Sequence, residues 1–171
     1  RDWSSDVCSS DLRVFSQAAL RDIDKAAGAT VFIYGEQGLG DIIHFCRYVP
    51  LIAAKGAKVI LEAPKPLFRL LKSLNGVAEL IESGTTIPQF DYHCSLMDFP
   101  LLFGTTLETI PSAIPYLSAD AIRIKNWSQK LGRKQNSRIG LIWSGGFRPN
   151  QPEVWGVNER RNMPVDRSEE H

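Results

Sequence analysis

A carboxylate and an imidazole stand close together at the end of the stretch Gly35-Glu-Gln-Gly-Leu-Gly-Asp-Ile-Ile-His44. Residues at i and i+3 of a helix are surface neighbours, so Asp41 and His44 are placed to meet one ligand. Either side chain can take a proton from an attacking hydroxyl as a general base, or His44 can orient Asp41. Gly35, Gly38 and Gly40 precede them; glycines permit a tight turn and let backbone N–H groups approach an anion. Each residue also has a plainer reading. Asp41 caps its helix, which is worth about 1 kcal/mol, and His44 is a partly buried helix histidine.

These residues need elements to hold them. Thr30-Val-Phe-Ile-Tyr34, β-branched and aromatic, reads as a buried strand. Beyond the glycines, Ile42, Phe45, Val49 and Ile52 recur at helical spacing, with Ile43 and Cys46 beside them. That spacing predicts one helix from Asp41 to about Ala54, stopped at Lys55-Gly56. Strand, glycine turn and helix together present a helix N-terminus at the mouth of a cleft. The glycine order is G-x-x-G-x-G, the reverse of the dinucleotide fingerprint, and no Gly-Lys-Ser/Thr closes it as a P-loop.

Along the rest of the chain, Arg13 to Ala27 carries Val14, Ala18, Leu20, Ile23 and Ala26 at loose helical intervals. Lys58–Glu62 predicts a second strand, and Pro64 and Pro66 open a helix over Leu67–Leu74, closed by Asn75-Gly76. Glu79–Glu82 and Phe90–Leu96 read as third and fourth strands. Phe99–Phe103 is a short apolar segment, and Thr105–Leu117 an irregular connection. Ala119–Leu131 is a more polar helix ended by Gly132. After the polar run Arg133–Ser137, Arg138–Trp143 predicts a further strand running into Ser144-Gly145-Gly146. Strands alternating with helices predict an α/β fold: a Rossmann-like parallel sheet flanked by helices. A second such domain then starts after the linker. Ligands of these sheets sit beyond the carboxyl ends of the strands.

Residues 1–12 have neither helical nor strand period and resemble translated sequencing-adapter read-through; the tail 167–171 resembles the other adapter end. Both are expected to be non-native. That leaves a domain over 13–133 and, over 134–166, a linker with the first strand and loop of a truncated second domain. The whole sequence has a net charge of +1, and the two ends together carry −3, which leaves +4 between them. That is too little, without a basic run, to indicate nucleic acid. A hydrophobic content of 43% and a charged content of 23% are those of an ordinary globular chain. No apolar run reaches the ~20 residues of a membrane span. Outside the ends, Cys46 and Cys94 suggest reduced thiols in a cytoplasmic protein.

Other residue types invite chemistry less strongly. His93 and Cys94 are strand neighbours pointing to opposite faces, which argues against shared metal ligation, and no metal site is expected. Trp127, Trp143 and Trp155 read as packing residues, and Glu36 and Glu62 as solvated loop and strand-end positions that can also reach a substrate.

Several separated segments resemble one family. They are Gly35–Asp41, Arg47-Tyr-Val-Pro50, Gly56–Glu62, Phe103-Gly-Thr-Thr106, Ile114-Pro-Tyr-Leu117, Ile139–Gly145 and Arg161-Asn-Met-Pro164. In this order they resemble the catalytic region of bacterial tetratricopeptide-repeat glycosyltransferases, relatives of the heptosyltransferases (glycosyltransferase family 9). The resemblance covers about Ala29 to Pro164. It implies a GT-B fold of two Rossmann-like domains and metal-independent, inverting transfer of a sugar from a nucleotide-activated donor to a saccharide or protein hydroxyl, with no cofactor. Asp41 matches the aspartate proposed as general base in that family, and Gln37, Gly38, Leu39 and Gly40 the acceptor-side loop beside it. Ser144, Gly145, Gly146 and Arg161 would face the donor phosphates, an arginine fork suiting a diphosphate; Arg160 and Arg161 read equally as a solvated loop. Pro50 stands later after the aspartate than is usual in heptosyltransferases. With most of the donor domain absent, the chain is expected to be inactive alone.

Two other functions remain open on the same residues. A nucleotide-binding oxidoreductase expects an acidic residue about 20 positions after the glycine turn to hold a ribose, and Glu62 stands there. A degenerate glycosyltransferase-like domain that only binds a sugar or a protein is the other.

Overall fold

The computed structural model describes residues 13–36, 38–133 and 136–141. The chain divides into two units, Arg1–Asn126 and Trp127–His171. The first holds a five-stranded sheet, β1 Ala18–Ala19, β2 Thr30–Tyr34, β3 Lys58–Ala63, β4 Val77–Glu82 and β5 Tyr92–Ser95. Every pairing is parallel and the order is β1-β5-β2-β3-β4. Helices α1 Leu39–Phe45, α2 Val49–Ala54, α3 Phe68–Leu71 and α4 Phe99–Leu102 follow the strands. The fold is α/β, as the alternation of strands and helices predicts. No described helix is long and apolar enough to cross a membrane.

β2 and β3 form because near-continuous apolar runs suit parallel strands covered on both faces. Val31 to Tyr34 and Val59 to Leu61 are all buried. One face of the sheet, through Val31, Ile33, Val59, Leu61 and Cys94, packs against Ile42, Cys46, Val49, Ile52, Leu71 and Phe99 of the helical segments. The other face is aromatic: Phe32, Tyr34, Ile60, Ile81 and Phe90, with Phe15 and Ile87 against them. Phe15 packs edge-on to Phe32, ring centroids 5.6 Å apart. Glu62 is buried, 3% exposed. Arg13 engages it with both terminal nitrogens, Nη2 donating to Oε1 at 3.0 Å. The same guanidinium lies 5.5 Å from the centre of the Tyr34 ring.

Three of the helical elements depart from the sequence expectation. The single helix expected from Asp41 to Ala54 is two, α1 and α2, joined by a 3-10 turn at Cys46–Tyr48. Pro50 is the cause: it has no N–H to give the Cys46 carbonyl four residues back, and the Val49 N–H takes that carbonyl instead, tightening the turn. The helical reading of Arg13–Ala27 is also corrected, to β1 and a 3-10 turn at Ile23–Ala26. Its exposure alternates from Val14 to Ala19, the strand period, and the Leu20 N–H donates to the His93 carbonyl at 2.8 Å. The helix expected over Leu67–Leu74 is a 3-10 turn at Lys65–Leu67 followed by the short α3. In the turn before β4 stands Gly76, whose φ of +87° and tight seat against α2, with a built Cβ 2.6 Å from that of Ala53, require glycine.

In α5, Ala121–Leu131, no residue is buried. Within the second unit, Arg138 Nη2 donates to the Leu131 and Gly132 carbonyls, both at 2.9 Å, and so caps the helix C-terminus. Of the strand expected over Arg138–Trp143, residues 138–141 have no regular structure and the remainder lies outside the described residues.

Candidate functional site

From β2 the chain steps outward through β3 to β4, and then returns to place β5 on the other side of β2. The strand order therefore reverses between β2 and β5. Such a reversal opens a crevice beyond the carboxyl ends of the two strands, where ligands of open α/β sheets bind. Tyr34 and Ser95 are the last register partners of that pair. Just past them the Ser95 hydroxyl donates to Glu36 Oε2 at 3.1 Å and accepts the Met97 N–H at 3.2 Å. Glu36 is thus tied to the end of β5, which its reading as a solvated loop residue did not anticipate.

Asp41 stands on the first turn of α1 at this edge. Its Oδ2 accepts the Gly38 N–H at 3.0 Å. Gly38 is the N-cap and has no side chain, so this bond is the only half of a capping box it can form. The capping role is real. It occupies one carboxylate oxygen; among the described residues Oδ1 has no hydrogen-bond partner.

The glycines divide by function. None of Gly35, Gly38 and Gly40 has a positive φ. Gly35 is required by close packing, because a Cβ there would lie 2.5 Å from Ile42 Cγ1. A Cβ on Gly40 would meet nothing within 4 Å. The backbone at Gly40 and Leu39 is exposed at the turn beside Asp41.

His44 faces elsewhere. No Asp41–His44 hydrogen bond exists among the described residues. His44 instead lines a cleft of about 440 Å³ with Phe45, Arg47, Thr105, Thr106 and Ile110, and Asp41 does not line it. Arg47 is its anchor. Its Nε donates to the His44 carbonyl at 2.9 Å, Nη1 to the Pro111 carbonyl at 3.3 Å and Nη2 to the Tyr116 hydroxyl at 3.3 Å. The Tyr116 hydroxyl in turn donates to the Ile43 carbonyl at 3.1 Å. One residue on, the Tyr48 hydroxyl donates to Thr105 Oγ1 at 3.0 Å. Residues of segments 47–50 and 103–106, far apart in sequence, line this cleft, and Tyr116 of segment 114–117 bonds its Arg47. Sequence reasoning assigned no role to Arg47, Tyr116 or Thr105. The available signal was a lone arginine inside an otherwise apolar helical run.

A second, smaller cleft of about 250 Å³ lies between Leu20, Arg21 and Asp22 after β1 and Asp98 and Leu102 after β5.

Other expected residues fall out as follows. Glu62 is engaged by Arg13 and is 3% exposed, so its carboxylate is not presented to a ribose. His93 and Cys94 do lie on opposite faces: His93 is 4.5 Å from the Phe15 ring, while Cys94 belongs to the helix-covered core. Burial, followed by the charge of Arg21, holds the His93 imidazole below its ordinary value, and its Nδ1 is buried without a hydrogen bond. Cys46 and Cys94 are free and buried. Burial pushes the Cys46 thiol up to about 11 despite the nearby Arg47. Among the described residues no group of three His, Cys, Asp or Glu could hold a metal ion.

No protein-family model, no curated protein and no solved structure matches this chain. Gln37, Ser144, Gly145, Gly146, Arg160, Arg161, Trp143 and Trp155 lie outside the described residues, as do the two ends.

Proposed function

We propose that the chain supplies the acceptor-side half of a GT-B glycosyltransferase related to the heptosyltransferases, with Asp41 as general base. The observation that carries the reading is the place of Asp41: first turn of the helix after the central strand β2, where the strand order reverses. The segment likeness set out above and the open space beside Gly40 support it further.

On this reading Oδ2 stays on the Gly38 N–H and fixes the carboxylate, while Oδ1 accepts the proton of an acceptor hydroxyl. The freed oxygen attacks the anomeric carbon from the face opposite the nucleoside diphosphate. The glycosidic bond forms as the bond to the phosphate oxygen breaks, the diphosphate leaves with the electron pair, and configuration inverts. Ser144, Gly145, Gly146 and Arg161 would hold the leaving diphosphate on the donor side. Gln37, Gly38, Leu39 and Gly40 would border the acceptor. His44 faces its own cleft, which leaves Asp41 as the base. The reaction is placed in the cytoplasm, where nucleotide sugars are made available, and uses neither metal nor cofactor.

A sugar- or protein-binding domain without turnover is the second reading, favoured by the capping bond that already accounts for Asp41. The test separates the two. Transfer is measured across a panel of nucleotide sugars with the product of the complete gene, native and Asp41→Asn. Asparagine keeps an oxygen for the Gly38 N–H and removes only the basicity. A loss of about 10²-fold or more, with donor binding intact, is expected of a general base. Full activity in Asp41→Asn overturns that role, and donor or acceptor binding without any transfer favours the binding domain.

A further inference from the structure

The cleft beside α1 is built around a cation. Arg47 has three N–H groups committed to neutral acceptors, the His44 and Pro111 carbonyls and the Tyr116 hydroxyl. Its guanidinium also stacks over the Tyr116 ring, 5.0 Å from the centroid. These bonds fix its orientation without cancelling its charge. Among the described residues no carboxylate lies within salt-bridge distance of it; the ion pairs there are Arg13–Glu62 and Lys55–Asp24. Glu108 is on the neighbouring 3-10 turn but does not line the cleft. A guanidinium has five N–H donors in a rigid fork, so two have no hydrogen-bond partner among the described residues.

Part of the lining around it can donate. Thr105 Oγ1 accepts from Tyr48, which leaves its own O–H to give. The His44 ring borders the same space; Thr106 does too, but its hydroxyl is taken up by Thr109 Oγ1 at 3.3 Å and by the Glu108 carboxylate. Phe45 and Ile110 make the remaining wall apolar, and low surrounding polarity strengthens a charge-assisted bond. We propose that this cleft is a phosphate-binding subsite, in which Arg47 holds two phosphoryl oxygens through its fork and Thr105 and His44 take the rest. A phosphoryl group brings three oxygens and a larger negative charge to this cation than a carboxylate does. The site is read by binding alone, so it stands or falls apart from the transfer chemistry.

The test is a titration of the ¹⁵N-labelled 171-residue chain with inorganic phosphate at constant ionic strength, followed by ¹H–¹⁵N spectra. The amides of Thr105 and Thr106 and the Arg47 Nε–H are expected to shift saturably with phosphate and not with chloride. Leu107 is 84% exposed and lines the same cleft, so Leu107→Glu adds a competing carboxylate without disturbing the core. It should weaken binding by about 5-fold or more, while Leu107→Gln leaves it unchanged. Arg47→Gln should abolish binding; if that variant loosens the 111–116 loop, the Leu107 pair decides. Shifts that are linear, shared with chloride, or equal in Leu107→Glu and Leu107→Gln overturn the proposal. Acetate binding as tightly as phosphate overturns the assignment to phosphate.

Discussion

The phenol of Tyr48 and the hydroxyl of Thr105 meet at 3.0 Å across a sequence separation of 57. Tyr48 is 4% exposed and its ring packs against both Phe99 and Phe103, with centroids at 6.1 and 5.7 Å. The bond therefore joins the α1–α2 junction to the loop that forms the far wall of the cleft. Tyr48→Phe keeps the ring packing and leaves Thr105 Oγ1 able to turn to water, so only the net bond is lost. The expected cost is about 1 kcal/mol, seen as a lower urea midpoint with an unchanged slope. A midpoint equal to that of the native chain would mean the two walls are held together by the aromatic stack and Arg47 alone.

Gly35 and Gly40 should respond in opposite ways to the same substitution. At Gly35 the new methyl would collide with Ile42 Cγ1 and Cδ1, at 2.5 and 2.8 Å, pushing α1 off the sheet. Gly35→Ala is expected to lower stability by about 1–3 kcal/mol, the range for overpacking. At Gly40 the space is open and the residue is helical, so Gly40→Ala is expected to leave stability unchanged or raise it by up to about 1 kcal/mol. Thermal unfolding of the pair checks this. If Gly40→Ala also impairs ligand binding or transfer, the open space there is used by a ligand; equal destabilisation by both variants would contradict the packing described for the turn.

His93 gives the fold a pH dependence with a definite sign. In the folded chain burial, and then Arg21, lower its proton affinity, and Asp98 opposes this only in part. The unfolded chain, with the ordinary value near 6.5, binds the proton first as pH falls. The stability contribution is complete above about pH 6.5, shrinks as pH drops below it, and is lost once the folded form titrates too. Urea midpoints at pH 7.5 and 5.5 should fall for the native chain, and fall less for His93→Gln. The same drop in both would assign the effect to other groups.

Much of the central sheet was legible because parallel strands covered on both sides must be apolar almost throughout. β2 is bounded as its β-branched and aromatic run predicts, and β3 extends its run by one residue, Ala63. β5 was placed correctly but is shorter than its apolar stretch, since Phe90 turns into the aromatic face and Leu96 begins a 3-10 turn. The break between α1 and α2 was readable in principle, Pro50 being visible, but helical periodicity on both sides of it outweighed a single missing N–H. β1 was not readable: two residues make no period, and it is a strand only because β5 lies beside it. The candidate site shows the same division. Asp41 and the glycine turn are contiguous and could be found, whereas Arg47 gains its meaning from Pro111 and Tyr116, more than sixty positions away. Strand order, and with it the reversal beside Asp41, is a long-range property that no local pattern encodes.

The order β1-β5-β2 has a consequence for how the chain is made. β1 and β2 leave the ribosome before β5 and cannot pair with each other, since the slot between them belongs to β5. The centre of the sheet stays open through synthesis of β3 and β4, and closes only when Tyr92–Ser95 enters sideways between strands already present. Until then one edge of β2 offers unpaired backbone groups to any other nascent strand. Pairings this distant in sequence also form slowly. The interval before residue 95 emerges is therefore when that edge of β2 is open to mispairing.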